Sequence, residues 1–258
     1  MAGRLTGKAA IVTGAGQGLG EAIARRFVAE GAAVVLAERN TETGQRLADE
    51  LTAAGGVAHF IQTDVTDNAG VAAMVALATA LIGPPSILVN NAGINVFRDP
   101  LATSEADWRR CMAVDLDGAW HCARAVLPAM IAAGGGSVVN IASTHSFSII
   151  PGCFPYPVAK HALLGLTRSL GIEYARHGIR VNAIAPGYIE TALTGEYWNG
   201  FADPQAERRR IMDLHPPRRL GRPDEVAMTA LFLASDEAPF INATCVVIDG
   251  GRSVLYHE

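Results

Sequence analysis

The sequence predicts an α/β protein, a single domain over residues 1–258, built on a doubly wound parallel sheet of about seven strands with helices on both faces. Three observations carry that reading. Short β-branched runs alternate with longer Ala- and Leu-rich stretches of helical period along the chain. The runs are apolar throughout rather than alternately polar, the pattern of parallel strands covered on both faces. No linker, repeat or shift of composition divides the 258 residues.

In chain order, "AAIVTG" (9–14) is the first strand, and a helical stretch near 19–30 follows it. "AVVLAE" (33–38) and "VAHFIQ" (57–62) come next, separated by a helix near 41–54. A helix near 67–82 leads to "SILVNN" (86–91), and one long helix is expected over 104–132 before "SVVNIAS" (137–143). Residues 155–176 are helical, "IRVNAIAP" (179–186) is a strand, and a helix near 224–235 precedes the last strand, "TCVVID" (244–249). Such βα repeats connect by right-handed crossovers. Residues 192–222 interrupt the alternation with Gly, aromatic and Pro residues. An insertion there is expected to form a lid over the carboxyl ends of the strands, where ligands bind in this architecture.

Composition excludes several classes. Half the residues are hydrophobic and 18% are charged, which suits a large core and argues against disorder. A net charge of −4 without a long basic run disfavours nucleic acid, and "ERRR" (207–210) reads as a solvated helix face. No apolar run reaches the ~20 residues of a membrane span. "MAGRLTGKAAIV" enters a strand pattern without the apolar core and cleavage site of a signal peptide, so a cytoplasmic location is expected. Cys111, Cys122, Cys153 and Cys245 are scattered with no CxxC spacing, which fits reduced thiols and no metal site.

"TGAGQGLG" (13–20) lies between the first strand and the first helix. Gly14, Gly18 and Gly20 allow a sharp turn, close approach of a pyrophosphate and tight helix packing, while the helix N-terminus offers N–H groups to the phosphates. Glu38 closes the second strand, where a carboxylate accepts hydrogen bonds from an adenosine ribose and repels a 2′-phosphate. Gln17 supplies no cation for such a phosphate. Arg39 cuts the other way, through adenine stacking or a 2′-phosphate contact. The balance favours NAD over NADP.

"YPVAK" (156–160) holds one of only two lysines in a chain with nineteen arginines. At i, i+4 on a helix, Tyr156 and Lys160 share a face. A cation beside a phenol favours phenolate and lowers the Tyr pKa towards working pH, as a general acid/base needs. Taken alone, the pair also reads as an exposed helix pair.

With TGxxxGxG at 13–20, "NNAG" at 90–93, Ser143 thirteen residues before Tyr156, YxxxK at 156–160 and "PG" at 186–187, the chain resembles the short-chain dehydrogenase/reductase family from about residue 5 to 251. The resemblance implies a Rossmann fold and a site residue by residue. Gly14, Gln17, Gly18, Leu19 and Gly20 would hold the pyrophosphate, with Glu38 and Arg39 at the adenosine ribose. Asp64 and Val65 would sit by the adenine, and Asn91, Ala92 and Gly93 would line the cofactor floor. Pro186, Gly187, Ile189 and Thr191 would face the nicotinamide. Tyr156 would be the acid/base, Lys160 would bind the nicotinamide ribose and lower the Tyr156 pKa, and Ser143 would hydrogen-bond the reacting oxygen. Asp115, in "AVDLDG", stands where the family usually has Asn in a water-linked proton relay. An ionised Asp accepts but does not donate, and it would hold Lys160 charged.

Candidate substrate residues are Asn95, Ser143, His145, Phe154, Tyr156, Tyr188 and Trp198, with Cys153, Glu196 and Tyr197 beside them. This polar set fits an aldose oxidised at C1 to a lactone, or a polyol, better than a steroid or fatty-acyl group. The stretch from Ala142 to Ala175 is similar to that of sugar 1-dehydrogenases within the family. Two rivals are an NADP-linked carbonyl or 3-oxoacyl reductase, for which Arg39 alone qualifies, and a catalytically silent nucleotide sensor, which the Ser/Tyr/Lys set opposes. Relatives pack as tetramers through their middle helices and last strand, so the resemblance implies a homotetramer.

Overall fold

The strands form in chain order as β1 (Ala9–Thr13), β2 (Ala33–Glu38), β3 (Val57–Gln62), β4 (Ile87–Asn90), β5 (Phe97–Arg98), β6 (Gly136–Ile141), β7 (Phe154–Pro155), β8 (Ile179–Pro186) and β9 (Cys245–Ile248). This computed structural model describes residues 3–256, with the backbone alone at Leu193. Met1, Ala2, His257 and Glu258, the ends of the expected domain, lie outside the described residues. Seven of the strands make one sheet in the order β3-β2-β1-β4-β6-β8-β9, parallel at every pairing, as the apolar runs predict.

Alternate strand residues supply the two faces. Val34 and Leu36 pack on one side with Ile23 and Phe27 of α1 (Gly18–Ala29), Leu47 of α2 (Thr41–Ala53), and Val226 of the last long helix. Val35 and Ala37 pack on the other with Val71 and Met74 of α3 (Asn68–Ile82). The order runs 3-2-1 to one edge and 4-6-8-9 to the other, so the chain reverses direction between β1 and β4. Crossover connections leave to opposite sides there and open a crevice at the carboxyl ends of the strands.

The long helix expected over 104–132 is interrupted. α4 (Glu105–Met112) passes through a π-helical turn at Ala113–Asp117 into α5 (Gly118–Ala132). Asp115 sits in that turn, 1% exposed. Such turns insert a residue into the helix and re-aim its side chains. α6 (Tyr156–Tyr174) begins at the catalytic-type Tyr itself.

Segment 192–222 contains α7 (Ala192–Trp198) and α8 (Pro204–Asp213), and its end is tied back to the chain after β8 by an isolated bridge between Ile189 and Gly221. Trp198, Ile211 and Leu220 form its own small core, with Tyr188 and Tyr197 against it. α9 (Pro223–Ala234) then packs on α1. Among the described residues no helix is long and apolar enough to cross a membrane, and no three His, Cys, Asp or Glu side chains gather to hold a metal ion.

Candidate active site

A cavity of about 440 Å³ opens at the crevice between β1 and β4. Its glycine-loop end is fixed by sterics. Gly14 and Gly18 have φ of +61° and +58°, a region that costs any residue with a Cβ. A Cβ at Gly14 would stand 2.9 Å from the Ala92 Cα, and one at Gly20 only 2.1 Å from the Gly14 carbonyl oxygen. The Gln17 side chain caps no N–H of α1. First-turn N–H groups are therefore left for a ligand at the positive end of the helix. Asn91 ties the loop to β4, its amide donating to the carbonyls of Thr13 and Gly14 at 2.9 Å each.

Glu38 closes β2 and accepts from the Gly16 N–H at 3.0 Å and the Asn40 N–H at 2.9 Å. Two more lone-pair directions of that carboxylate stay open. Thr66 donates to Asp64 from its hydroxyl at 2.7 Å and its N–H at 2.9 Å. With Arg39 nearby, these bonds hold the Asp64 carboxyl below its usual range.

At the other end, Ser143 follows β6, Tyr156 opens α6, and Lys160 lies one turn on. Lys160 is 4% exposed. Its Nζ donates to the Ile141 carbonyl at 3.1 Å, faces Asp115 Oδ1 at 3.2 Å, and sits 5.4 Å from the Tyr156 ring centroid. The Ser143 hydroxyl accepts from the His145 N–H at 3.1 Å and lines the same end of the cavity as the Tyr156 phenol. Burial opposes the Lys160 charge, yet Asp115 and Tyr156 raise its pKa above the ordinary value, so the group is an ammonium.

The expected fall in the Tyr156 pKa is not what the site produces. Burial is the largest influence and pushes the phenol up; Lys160 pulls it down, and Asp115 pushes it up again. Tyr156 keeps part of its surface open to the cavity, so water there moderates the rise. The spacing of Tyr and Lys revealed the cation. It could not reveal the anion that the π turn brings beside it.

Gly14, Gln17, Gly18, Leu19, Glu38, Arg39, Asp64, Val65, Asn91, Ala92, Gly93, Pro186, Gly187, Ile189 and Thr191 all line the cavity, as do Asp115, Ser143, Tyr156, Lys160 and Asn95. Gly20 does not; it packs behind the loop. The other substrate candidates scatter. The Phe154 ring turns away to Trp108, with centroids 5.8 Å apart. Trp198 stacks on Tyr188 at 5.7 Å inside the core of segment 192–222. Tyr188 also meets His215 edge-on, and Glu196 is exposed. His145 does reach the site, its ring edge-on to Tyr156 at 5.7 Å.

Phe97 was not legible beforehand. It lies in the two-residue ribbon of β5 with β7 and meets Tyr156 at 5.6 Å, His145 at 6.3 Å and Tyr197 at 6.3 Å. Tyr197 of segment 192–222 thus meets the same Phe97 ring that packs on Tyr156, while Ala192 and Thr194 of that segment line the cavity. Two-residue strands carry no readable period; the position of Phe97 four residues after "NNAG" was the available signal.

A glycine-lined cavity at the crevice of a doubly wound sheet, ending in Ser143, Tyr156 and Lys160, defines an oxidoreductase that works on CH–OH groups with a nicotinamide dinucleotide. The residues fit that group: Gly14 and Gly20 let the loop fold closely where a Cβ would collide, Gly18 holds left-handed backbone, and the first-turn N–H groups of α1 are uncapped by the Gln17 side chain. The chain belongs to the short-chain dehydrogenase/reductase family, whose model described as enoyl-(acyl carrier protein) reductase matches residues 14–253. It is 42% identical over 257 residues to a galactitol 2-dehydrogenase (L-tagatose-forming) of Cereibacter sphaeroides, covering 97% of each chain. A short-chain dehydrogenase/reductase structure from Burkholderia xenovorans superposes with a TM-score of 0.95 at 37% identity, covering 99% of this chain and 100% of that one. A structure described as an NAD(P)-dependent gluconate 5-dehydrogenase from Beutenbergia cavernae, with bound NADP at low occupancy, gives 0.91 at 37% identity, covering 97% and 98%.

Proposed function

We propose that this protein is an NAD-dependent dehydrogenase of a small polyhydroxylated substrate, an aldose oxidised at C1 to a lactone or a polyol oxidised to a ketose. The convergence of Ser143, Tyr156 and Lys160 at one end of the cavity carries the reading. A nicotinamide bound there supplies the hydride acceptor in oxidation and the donor in reduction. Tyr156 takes the hydroxyl proton in oxidation and returns it in reduction. Ser143, lining the cavity with the phenol, holds the reacting oxygen and steadies charge that develops on it. Lys160 keeps its positive charge beside that phenol and reaches the cofactor side of the cavity. Asn95 and His145 supply polar contacts, and Phe97 and Tyr197 offer aromatic faces against which the C–H face of a sugar packs. The similarity to a galactitol dehydrogenase supports the polyol form of the reading.

Glu38 supports NAD, since a carboxylate at the end of β2 in the cavity lining would repel a 2′-phosphate bound beside it. Arg39 and the NADP-bound relative favour an NADP-linked reading as the alternative. Residues 1–258 are read as one domain with 192–222 as its lid, working in the cytoplasm as a homotetramer. The test is a screen of purified protein by nicotinamide absorbance, with NAD and NADP in parallel, over aldoses, polyols, simple secondary alcohols and oxoacyl esters. NAD-linked oxidation of a sugar or polyol is expected. Activity confined to reduction with NADPH would overturn both the cofactor and the substrate assignments, and NAD binding without turnover on any panel member would restore the sensor reading.

A further inference from the structure

We infer that Asp115 is the resident counter-ion of Lys160, so that the ammonium acts on Tyr156 as half of an ion pair rather than as a free cation, and that this sets the pH window of the reaction. The inference rests on Tyr156 being the acid/base.

The donor count around Asp115 points to a carboxylate. Its Oδ1 faces Lys160 Nζ at 3.2 Å and the Ile94 N–H at 3.3 Å. Its Oδ2 lies 3.4 Å from the same N–H and accepts from the Cys111 thiol at 3.8 Å. Ammonium, amide and thiol are all donors here. Burial, then the Asp115 charge, pushes Cys111 up to about 12, so it stays a thiol with a proton to give. A carboxylate offers acceptors to all three. An asparagine has one acceptor oxygen and would turn its NH₂ towards a donor. With Asp115 1% and Lys160 4% exposed, neither charge is solvated, and each needs the other.

The surroundings of Tyr156 hold few other charges. Lys160 comes from α6, Asp115 from the π turn, Cys111 from α4 and His145 from the turn after β6; Phe97 of β5 is apolar, and Ser143 contributes a hydroxyl. Burial, reinforced by His161, lowers the His145 pKa, so its ring is neutral where the reaction runs. The balance of Lys160 against Asp115 is therefore the local electrostatic setting of the phenol. An adjacent opposite charge cancels much of a cation's field beyond the pair.

The experiment is an alkaline titration of tyrosinate absorbance on protein without dinucleotide or substrate, each curve taken as a difference from its Tyr156→Phe counterpart. Asp115→Asn is expected to move the Tyr156 transition to lower pH by about one unit or more, and to move the acid limb of the oxidation rate with it. Coincident curves for D115N and the unaltered protein would overturn the inference, as would a shift to higher pH that Asp115→Asn with Lys160→Met does not reproduce, since only discharge of an unpaired Lys160 accounts for such a shift within it. Asp115→Ser removes the same charge with a smaller side chain and serves if D115N fails to fold by circular dichroism. The titration needs no turnover, whereas the catalytic reading is tested by the activity of Tyr156→Phe, so the two fail separately.

Discussion

Tyr156 and Lys160 show how one residue pair acquires a setting that its spacing does not contain. The four-residue step puts phenol and ammonium on one helical face, but β6 supplies the Ile141 carbonyl and the π turn supplies Asp115 from elsewhere in the chain. Tyr156→Phe should lower turnover by about 10³-fold or more while calorimetric dinucleotide affinity stays near its original value; retained turnover would remove Tyr156 from the mechanism. Because burial keeps the proton on Tyr156, oxidation, which needs phenolate, should accelerate as pH rises through the alkaline range. Reduction, which needs the phenol, should slow over the same range, and initial rates in both directions read the sign. Glu38→Gln keeps the size of the side chain and removes the charge that repels a 2′-phosphate. The NAD-to-NADP ratio of kcat/KM should fall about tenfold, roughly 1.4 kcal/mol. An unchanged ratio would mean that Arg39 sets the preference.

Among the elements, the β1–α1 turn is the most constrained. Its glycines serve different ends: Gly14 and Gly18 adopt left-handed backbone, and Gly20 lets the helix approach the loop. Gly20→Ala places a methyl carbon against a backbone oxygen that no side-chain rotation relieves. It should cost about 1–3 kcal/mol in chemical denaturation and weaken dinucleotide binding more than it weakens the fold. The π turn between α4 and α5 is the second such element. A sequence pattern of apolar residues at helical period continues through it, so it reads as uninterrupted helix over 104–132. The ribbon of β5 with β7 is the third, and it is what brings Phe97 onto Tyr156.

For the whole molecule, the crevice between β1 and β4 couples cofactor to stability. A dinucleotide that binds only the folded chain should stabilise it by about 2.7 kcal/mol at a hundredfold excess over Kd, a rise of several degrees in Tm by calorimetry. Segment 192–222 has its own small core, so Trp198→Ala should speed proteolysis within that segment while the global transition moves much less. The order of the strands in the sheet came from the structure, whereas the fold class, the positions of the main strands, the glycine loop, Glu38 and the spacing of Ser143, Tyr156 and Lys160 were legible in the sequence. They are local in kind: periodicity, turn chemistry and side-chain type at fixed spacing. Phe154 is expected at the substrate because it precedes Tyr156, Tyr188 because it follows the PG pair and Trp198 because it lies in segment 192–222, yet packing turns their rings elsewhere. Phe97 and Cys111 gave no such sign and were carried to the site by a short ribbon and by α4. The sequence by itself determined which chemistry the chain carries and on what scaffold, because those follow from patterns within single elements. The family resemblance already set Asp115 near Lys160, but tertiary structure alone decided the direction of the Tyr156 shift and the walls of the substrate space. Both depend on distances between side chains from different elements, and only the packed fold sets those.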